Sequence, residues 1–256
     1  WYQRRVRGMN TDNLHFVVND DCILCGACVE NCVSNALKIE DNKVVINEKK
    51  CIGCGQCFAL CPQGAVRMFN CDASINYVSH HKIEQAIAMR RSFRKFTQQE
   101  VDKELIKELL NLTRFCPSSK NRRLVQFVVL TKQVICELRP IVGKYMQEHN
   151  LYKALSTDED PVFRGCSDVI LAIIPKGESN EDGVIALATF ELAAQARDLG
   201  TFWCGILKEA CKLDEVKQIV GITDEIEIVG ALCVGYPAIQ FIRPAARQQI
   251  VYTTIE

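Results

Sequence analysis

The chain has 256 residues, 48% hydrophobic and 24% charged. That is enough to bury a core in one large domain or in two of unequal size. Thirty-one Lys and Arg balance thirty-one Asp and Glu, which gives no support for a nucleic-acid or anionic-membrane surface. Fifteen cysteines are the outlier. A small secreted domain would use them as disulfides, but a chain of this length builds a core without such staples. No secretory apolar segment begins the chain and no apolar run reaches the length of a membrane span, so a reducing cytoplasm is expected.

Trp1 to Gly8 precedes the first Met, Met9, and is expected to be vector-derived, since it has neither periodicity nor motif. The next stretch holds eight of the cysteines. Cys22-Ile23-Leu24-Cys25-Gly26-Ala27-Cys28 followed by Cys32 recurs 29 residues on as Cys51-Ile52-Gly53-Cys54-Gly55-Gln56-Cys57 followed by Cys61. Each copy reads C-x2-C-x2-C-x3-C, and the repetition argues against chance spacing. A zinc site would pair cysteines around a longer loop and close with four ligands. Three cysteines in a tight turn instead fit three corners of an iron–sulfur cube, the fourth coming from the other copy. Gly26 and Gly55 suit the tight turns. Asp41-Asn42, between Ala36–Ile39 and Val44–Ile46, predicts a short hairpin.

These residues resemble the bacterial-type ferredoxin with two [4Fe-4S] clusters, over roughly residues 14–69. The resemblance implies crossed ligation: Cys22, Cys25, Cys28 and Cys61 for one cluster, and Cys51, Cys54, Cys57 and Cys32 for the other. Pro62 after Cys61 fits the family, whereas Val33 stands where the first copy's proline is usual. The first domain is therefore expected over 9–69.

A polar linker is expected over 70–81. It contains His80 and His81, which have no further ligand at metal spacing. The second domain is expected over 82–256. Lys82–Met89 has a helical pattern with Ile83, Ala86 and Ile87 on one side. Asp102 can cap a helix carrying Leu105, Leu109 and Leu112. Leu124–Leu130 reads as a strand, Lys132–His149 as a helix with a break at Pro140, and Val169–Ile174 as a second strand. Gly183–Asp198 reads as an Ala-rich helix apolar nearly all round, as expected in a domain centre or at a subunit interface. Glu227–Val234 gives a third strand, and β-branched residues fill 249–255. Helices on a small sheet predict an α+β or α/β layered domain.

Arg90-Arg91-Ser92-Phe93-Arg94 offers forked, charge-assisted donors for a phosphate, although a solvated basic helix end would read the same way. Three further segments follow in order. They are Pro117-Ser118-Ser119-Lys120-Asn121, Leu199-Gly200-Thr201-Phe202-Trp203-Cys204-Gly205, and Val234-Gly235-Tyr236-Pro237 with Arg243 and Arg247 beyond. Together they resemble the FMN-dependent nitroreductase family over 82–256, and the whole chain resembles its ferredoxin-fused members. The fold class implied is α+β: a small ferredoxin-like domain followed by a nitroreductase-type sandwich.

By that resemblance Arg90 and Ser92 are expected on the FMN phosphate, Arg94 near the N1/O2 edge of the flavin, and Arg91 at the ribityl chain or ring. Pro117, Ser118, Ser119 and Asn121 are expected to reach the flavin of a partner subunit, while Trp203, Cys204 and Gly205 lie on its N5 side. Arg243 and Arg247 are expected to complete the phosphate site. Arg122-Arg123-Leu124-Val125 replaces the family's Gln-Pro-Trp, which leaves substrate preference open at that edge. No catalytic side chain is expected, because the cofactor carries the chemistry. The scattered cysteines read as small hydrophobes, and Cys204 and Cys116 are expected to act through backbone and shape.

The function expected is an FMN-dependent reductase of a nitroaromatic, quinone or flavin acceptor. It is fed by two [4Fe-4S] clusters from an external ferredoxin-type or NAD(P)H donor, in a homodimer with FMN at the interface. The helix 183–198 and residues 248–256 are expected to form that interface. No nucleic acid and no membrane are involved. An electron relay to a protein partner and a slow redox sensor are the alternatives. The chain lacks a G-x-G-x-x-G after a strand, so no dinucleotide-binding Rossmann unit is expected.

Overall fold

The computed structural model describes residues 16–68, 81–151 and 160–255. Trp1–Gly8, most of the expected linker with His80, and Cys71 lie outside the described residues. The chain forms two compact units, one of residues 1–89 with 240–256 and one of residues 90–239. The boundary thus falls eight residues later than expected. The C-terminal stretch, expected in the second domain, groups with the first unit.

The first unit is built from paired halves. β1 (Val17–Val18) pairs antiparallel with β4 (Val66–Arg67). β2 (Leu37–Glu40) and β3 (Lys43–Ile46) form the expected hairpin, registered from Leu37 opposite Ile46 to Glu40 opposite Lys43. Asp41 and Asn42 turn it with φ of 47° and 56°, the left-handed pair a two-residue hairpin needs. Two short helices, α1 (Ala27–Glu30) and α2 (Gln56–Leu60), start from Gly26 and Gly55 at φ of 78° and 68°. Gly55 is doubly constrained, because a Cβ there would lie 3.0 Å from the Ala246 carbonyl oxygen. Phe58, Val66, Met68 and Ala246 form the small core, so the C-terminal stretch is part of it. The helix α3 (Lys82–Met89) has no buried residue, and its Ile83 and Ile87 are exposed.

The second unit is a four-stranded antiparallel sheet in the order β5 (Gln126–Leu130), β6 (Asp168–Pro175), β8 (Ile226–Gly235), β7 (Gly200–Trp203). The three predicted strands are present. β7 is not among the predicted strands, because its four residues include Gly200 and are too few to show alternation. Residues 249–255 form no strand among the described residues, and Ile250, Val251, Tyr252 and Ile255 are exposed. Residues 168–174 of β6 and 228–235 of β8 are buried throughout, so both faces of these strands are covered.

α4 (Lys103–Leu112) is capped by Asp102, whose side chain accepts from the Glu104 N–H at 2.8 Å. Its buried stripe is Ile106 and Leu109, while Leu112, expected inward, is exposed. α5 (Lys132–Glu148) is continuous through Pro140. α6 (Asn180–Gln195) is the Ala-rich helix. Leu187, Phe190 and Ala194 pack with Ile106, Leu109, Ile170 and Leu232 in the central cluster. The close approach of α6 to β8 depends on Gly183, where a Cβ would lie 2.8–2.9 Å from Val229 side-chain atoms. α7 (Gly205–Ala210) and α8 (Asp214–Val220) complete the unit and pack with α5.

Candidate functional site

In the first unit the eight repeated cysteines gather around two hollows. Cys22, Cys25, Cys28 and Cys61 line one. Cys32, Cys51, Cys54 and Cys57 line the other, with Cys28 at its edge. The two glycine turns aim three cysteines of each copy inward, and the tight pairing of the halves carries the fourth across. Burial pushes the Cys28 thiol up to about 11, the proximity of Cys61, Cys22 and Cys25 adding to it. Burial likewise pushes Cys57 up, with Cys54 and Cys51 contributing. Thiols raised in this way favour the neutral form unless a cation lies close. No three or more His, Cys, Asp or Glu among the described residues are spaced to hold a single metal ion. Four cysteine sulfurs lining each hollow are the donor set a [4Fe-4S] cluster would take.

Arg243 and Arg247 take up positions in this same unit. Arg243 donates from Nη1 to the carbonyls of Phe58 at 3.0 Å and Cys61 at 2.8 Å, and its guanidinium lies 5.9 Å from the Phe58 ring centroid. Arg247 donates from Nη1 to the Cys54 carbonyl at 2.7 Å. Both arginines, expected at a phosphate, bond backbone carbonyls beside the repeated cysteines. The physical reason is the packing of 240–256 on α2, where Ile242 N–H donates to the Ala59 carbonyl at 3.1 Å.

In the second unit, residues 90–97 run beside the sheet edge. Ser92 bridges to Thr201 of β7 in parallel and Phe96 to Pro237 in antiparallel fashion. Phe93 N–H donates to the Thr201 carbonyl and Thr97 N–H to that of Tyr236, both at 2.8 Å. Gly200 is needed at this junction, since a Cβ would lie 2.8 Å from Phe93. Arg91 is buried, while Arg90, Ser92 and Arg94 are half-buried. The segment thus brings the predicted Ser92 alongside Thr201, two residues before the predicted Trp203.

The organising group at this junction is Glu191 of α6, which sequence reasoning missed. It is 4% exposed. Its Oε1 accepts from Arg90 Nη1 at 3.1 Å and from Thr201 Oγ1 at 3.2 Å, and its Oε2 accepts from Trp203 Nε1 at 3.2 Å. The available signal was a lone acid in the apolar run Phe190-Glu191-Leu192-Ala193-Ala194, because a buried charge must be paired. Cys204, the residue after Trp203, is buried. Its N–H is committed to the Ala231 carbonyl at 2.8 Å, and its thiol packs toward Cys233, itself pushed well up by burial. A hydrogen bond with Cys233 holds the Cys204 thiol below the usual cysteine value against the opposing effect of burial.

The other predicted loop is tied together by its own side chains. Pro117 begins it. Ser118 Oγ accepts from Arg123 N–H at 3.1 Å, and Asn121 Oδ1 accepts from Arg123 Nε at 3.1 Å. Ser119 N–H points between both oxygens of buried Asp182 at 3.0 Å each. Lys120, Asn121 and Arg123 adopt φ of 51°, 54° and 53°, a strained run for non-glycine residues. Cys116 Sγ donates to Thr189 Oγ1 at 3.1 Å. Asp182 and Arg123 were not predicted as site residues.

Fold and site together define a protein that joins a cysteine-rich unit to an antiparallel α+β unit. Residues 87–236, more than half of the chain, match the nitroreductase family, and residues 21–65 match the 4Fe-4S dicluster domain. The chain belongs to the nitroreductase family, carries a ferredoxin-like domain ahead of it, and is an oxidoreductase. A relative from Methanothermobacter thermautotrophicus, provisionally named NADH dehydrogenase/NAD(P)H nitroreductase, is 29% identical over 63% of this chain and 80% of its own. Among solved structures, a Bacteroides fragilis nitroreductase with bound FMN superposes with a TM-score of 0.61 at 17% identity, covering 69% of this chain and all of that one. A nitroreductase-like protein from Bacillus cereus gives 0.53 at 24% identity, covering 67% and 94%. No helix among the described residues is long and apolar enough to cross a membrane.

Proposed function

We propose that this oxidoreductase holds two [4Fe-4S] clusters in its first unit and FMN in its second, exchanges electrons between them, and reduces a small acceptor such as a nitroaromatic, quinone or flavin. The observation that carries the proposal is the sorting of the eight cysteines into two sets of four, in a chain whose other unit has the nitroreductase fold. Covalent tethering keeps donor and acceptor at high effective concentration.

The residues have distinct tasks. Cys22, Cys25, Cys28 and Cys61 hold one cluster, and Cys32, Cys51, Cys54 and Cys57 the other. Arg90 and Ser92 bind the FMN phosphate, with Arg91 and Arg94 toward the ring, where a cation favours the anionic reduced form. Glu191 fixes Arg90 and Trp203 in place without entering the reaction. FMN, when bound, supplies the conversion between single electrons and a two-electron or hydride transfer. A homodimer with FMN at its interface is supported by exposed Val184 and Ile185 on the outer side of α6, and by the exposed apolar tail. The external donor is ferredoxin-type or NAD(P)H.

The test is anaerobic. The full chain is reconstituted with iron, sulfide and FMN and reduced, and flavin and cluster absorbances are followed while a nitroaromatic, a quinone or NAD(P)+ is added. Both chromophores should reoxidise rapidly with at least one acceptor. Normal iron and sulfide content without FMN binding would sink the proposal, and uniformly slow oxidation by every acceptor would favour the relay. Crossed ligation predicts that Cys61→Ser damages the same cluster as Cys22→Ser, and Cys32→Ser the same as Cys51→Ser.

A further inference from the structure

The loop that departs from the family pattern borders a cleft of about 260 Å³ within the second unit, between the end of α4, residues 116–118, the start of β5 and α6. Its apolar wall is Val125, Phe127 and Ala186, and its polar rim is Arg114, Ser118 and Arg123.

The charges do not cancel there. Four other arginines of the unit have carboxylate partners: Arg122 with Glu178, Arg139 with Asp160, Arg197 with Glu108, and Arg90 with Glu191. Arg114 and Arg123 have none among the described residues. Arg114 donates from Nη1 to Asn111 Oδ1 at 3.3 Å and lies 4.6 Å from the Phe115 ring centroid. Arg123 spends only Nε and its backbone N–H, on Asn121 and Ser118. The one carboxylate lining the cleft, Asp182, is buried with both oxygens on Ser119 N–H. The left-handed backbone at Lys120, Asn121 and Arg123 holds Arg123 at this rim. Strain of this kind persists where the surroundings enforce it, often at ligand clamps.

Two guanidinium groups over an apolar wall suit a small molecule with an apolar body and one carboxylate, because the planar fork matches carboxylate geometry. We propose that this cleft binds apolar carboxylates and gives the enzyme a preference for anionic over neutral acceptors. The preference for acceptors rests on the function proposed above; binding does not.

The test uses the FMN-loaded full chain, in which the phosphate site is filled, with 4-nitrobenzoate and neutral 4-nitrobenzamide as probes. Calorimetry without reductant should show 4-nitrobenzoate binding at least about ten-fold tighter, as expected for charge-assisted hydrogen bonds at an exposed rim. The preference should shrink as salt is raised, because both arginines are exposed. Arg123→Gln and Arg114→Gln should each remove most of it, while Arg122→Gln, whose partner is Glu178, should leave it intact.

Kinetics with dithionite as donor then follow the first reduction, in which two electrons and two protons convert the nitro group to nitroso and water. The KM for 4-nitrobenzoate should rise in both variants while that for 4-nitrobenzamide stays constant. Equal binding of the two probes, or a preference that survives both substitutions, overturns the proposal. Tight binding without faster reduction of the anion overturns the acceptor preference and leaves the carboxylate site. Failure to reduce either probe, with binding preserved, counts against the proposed function alone.

Discussion

Replacing Glu191 tests whether one buried carboxylate organises the junction of α6, β7 and the Arg90 segment. Thr201 is 2% exposed and cannot turn to water. Losing its acceptor should cost about 1–3 kcal/mol. The Arg90 side chain is 36% exposed, so its pairing is discounted for solvent to at most about 1 kcal/mol. Trp203 is 38% exposed and can be partly rehydrated. The space left by the side chain adds about 1 kcal/mol. Glu191→Ala should therefore lower the stability of the second unit by about 3 kcal/mol. Glu191→Gln keeps an acceptor oxygen for two of the three donors and should cost about 1 kcal/mol. The chain has two tryptophans, Trp1 and Trp203, so in a Trp1→Phe background the fluorescence of Trp203 reports this unit alone. Urea unfolding followed at Trp203 should show a lower midpoint with an unchanged slope. A cost below about 1 kcal/mol for Glu191→Ala, or equal costs for the two variants, would refute the reasoning.

Gly183→Ala should destabilise the second unit by about 1–3 kcal/mol despite the better helix propensity of alanine, because its Cβ meets Val229. Val229→Ala should relieve much of that loss, measured as non-additive thermal midpoints. Arg243→Met should loosen the cysteine-bearing turns whose carbonyls it holds, read as faster loss of iron and sulfide per chain in air, with stability at Trp203 unchanged. Asp168 is raised by burial, which its hydrogen bond from Ser167 offsets only in part. The native state therefore keeps a proton that the unfolded chain releases. Stability should fall as pH rises from the ordinary carboxylate range through the raised value, then level off. Asp168→Asn should flatten that slope in urea midpoints measured across the acid range.

The eight cluster cysteines were legible because their chemistry is written in fixed local spacing, with Gly26 and Gly55 marking the turns. The main strands and the α6 helix were legible from apolar runs, and Asp102 from its place before a helical pattern. What the sequence by itself determined was thus the kind of chemistry and the class of each unit. Tertiary structure decided which groups meet. Glu191, Asp182 and Arg123 carry no local signal of their partners, which stand 10 to 101 and 63 residues away in the first two cases. Arg123 owes its place to a backbone conformation that sequence does not announce. The contacts of Arg243 and Arg247 with backbone carbonyls come from the packing of the last residues on α2, which no local spacing announces. Spacing fixes ligands that lie within one turn of each other, while pairing across a core depends on which surfaces the chain buries together.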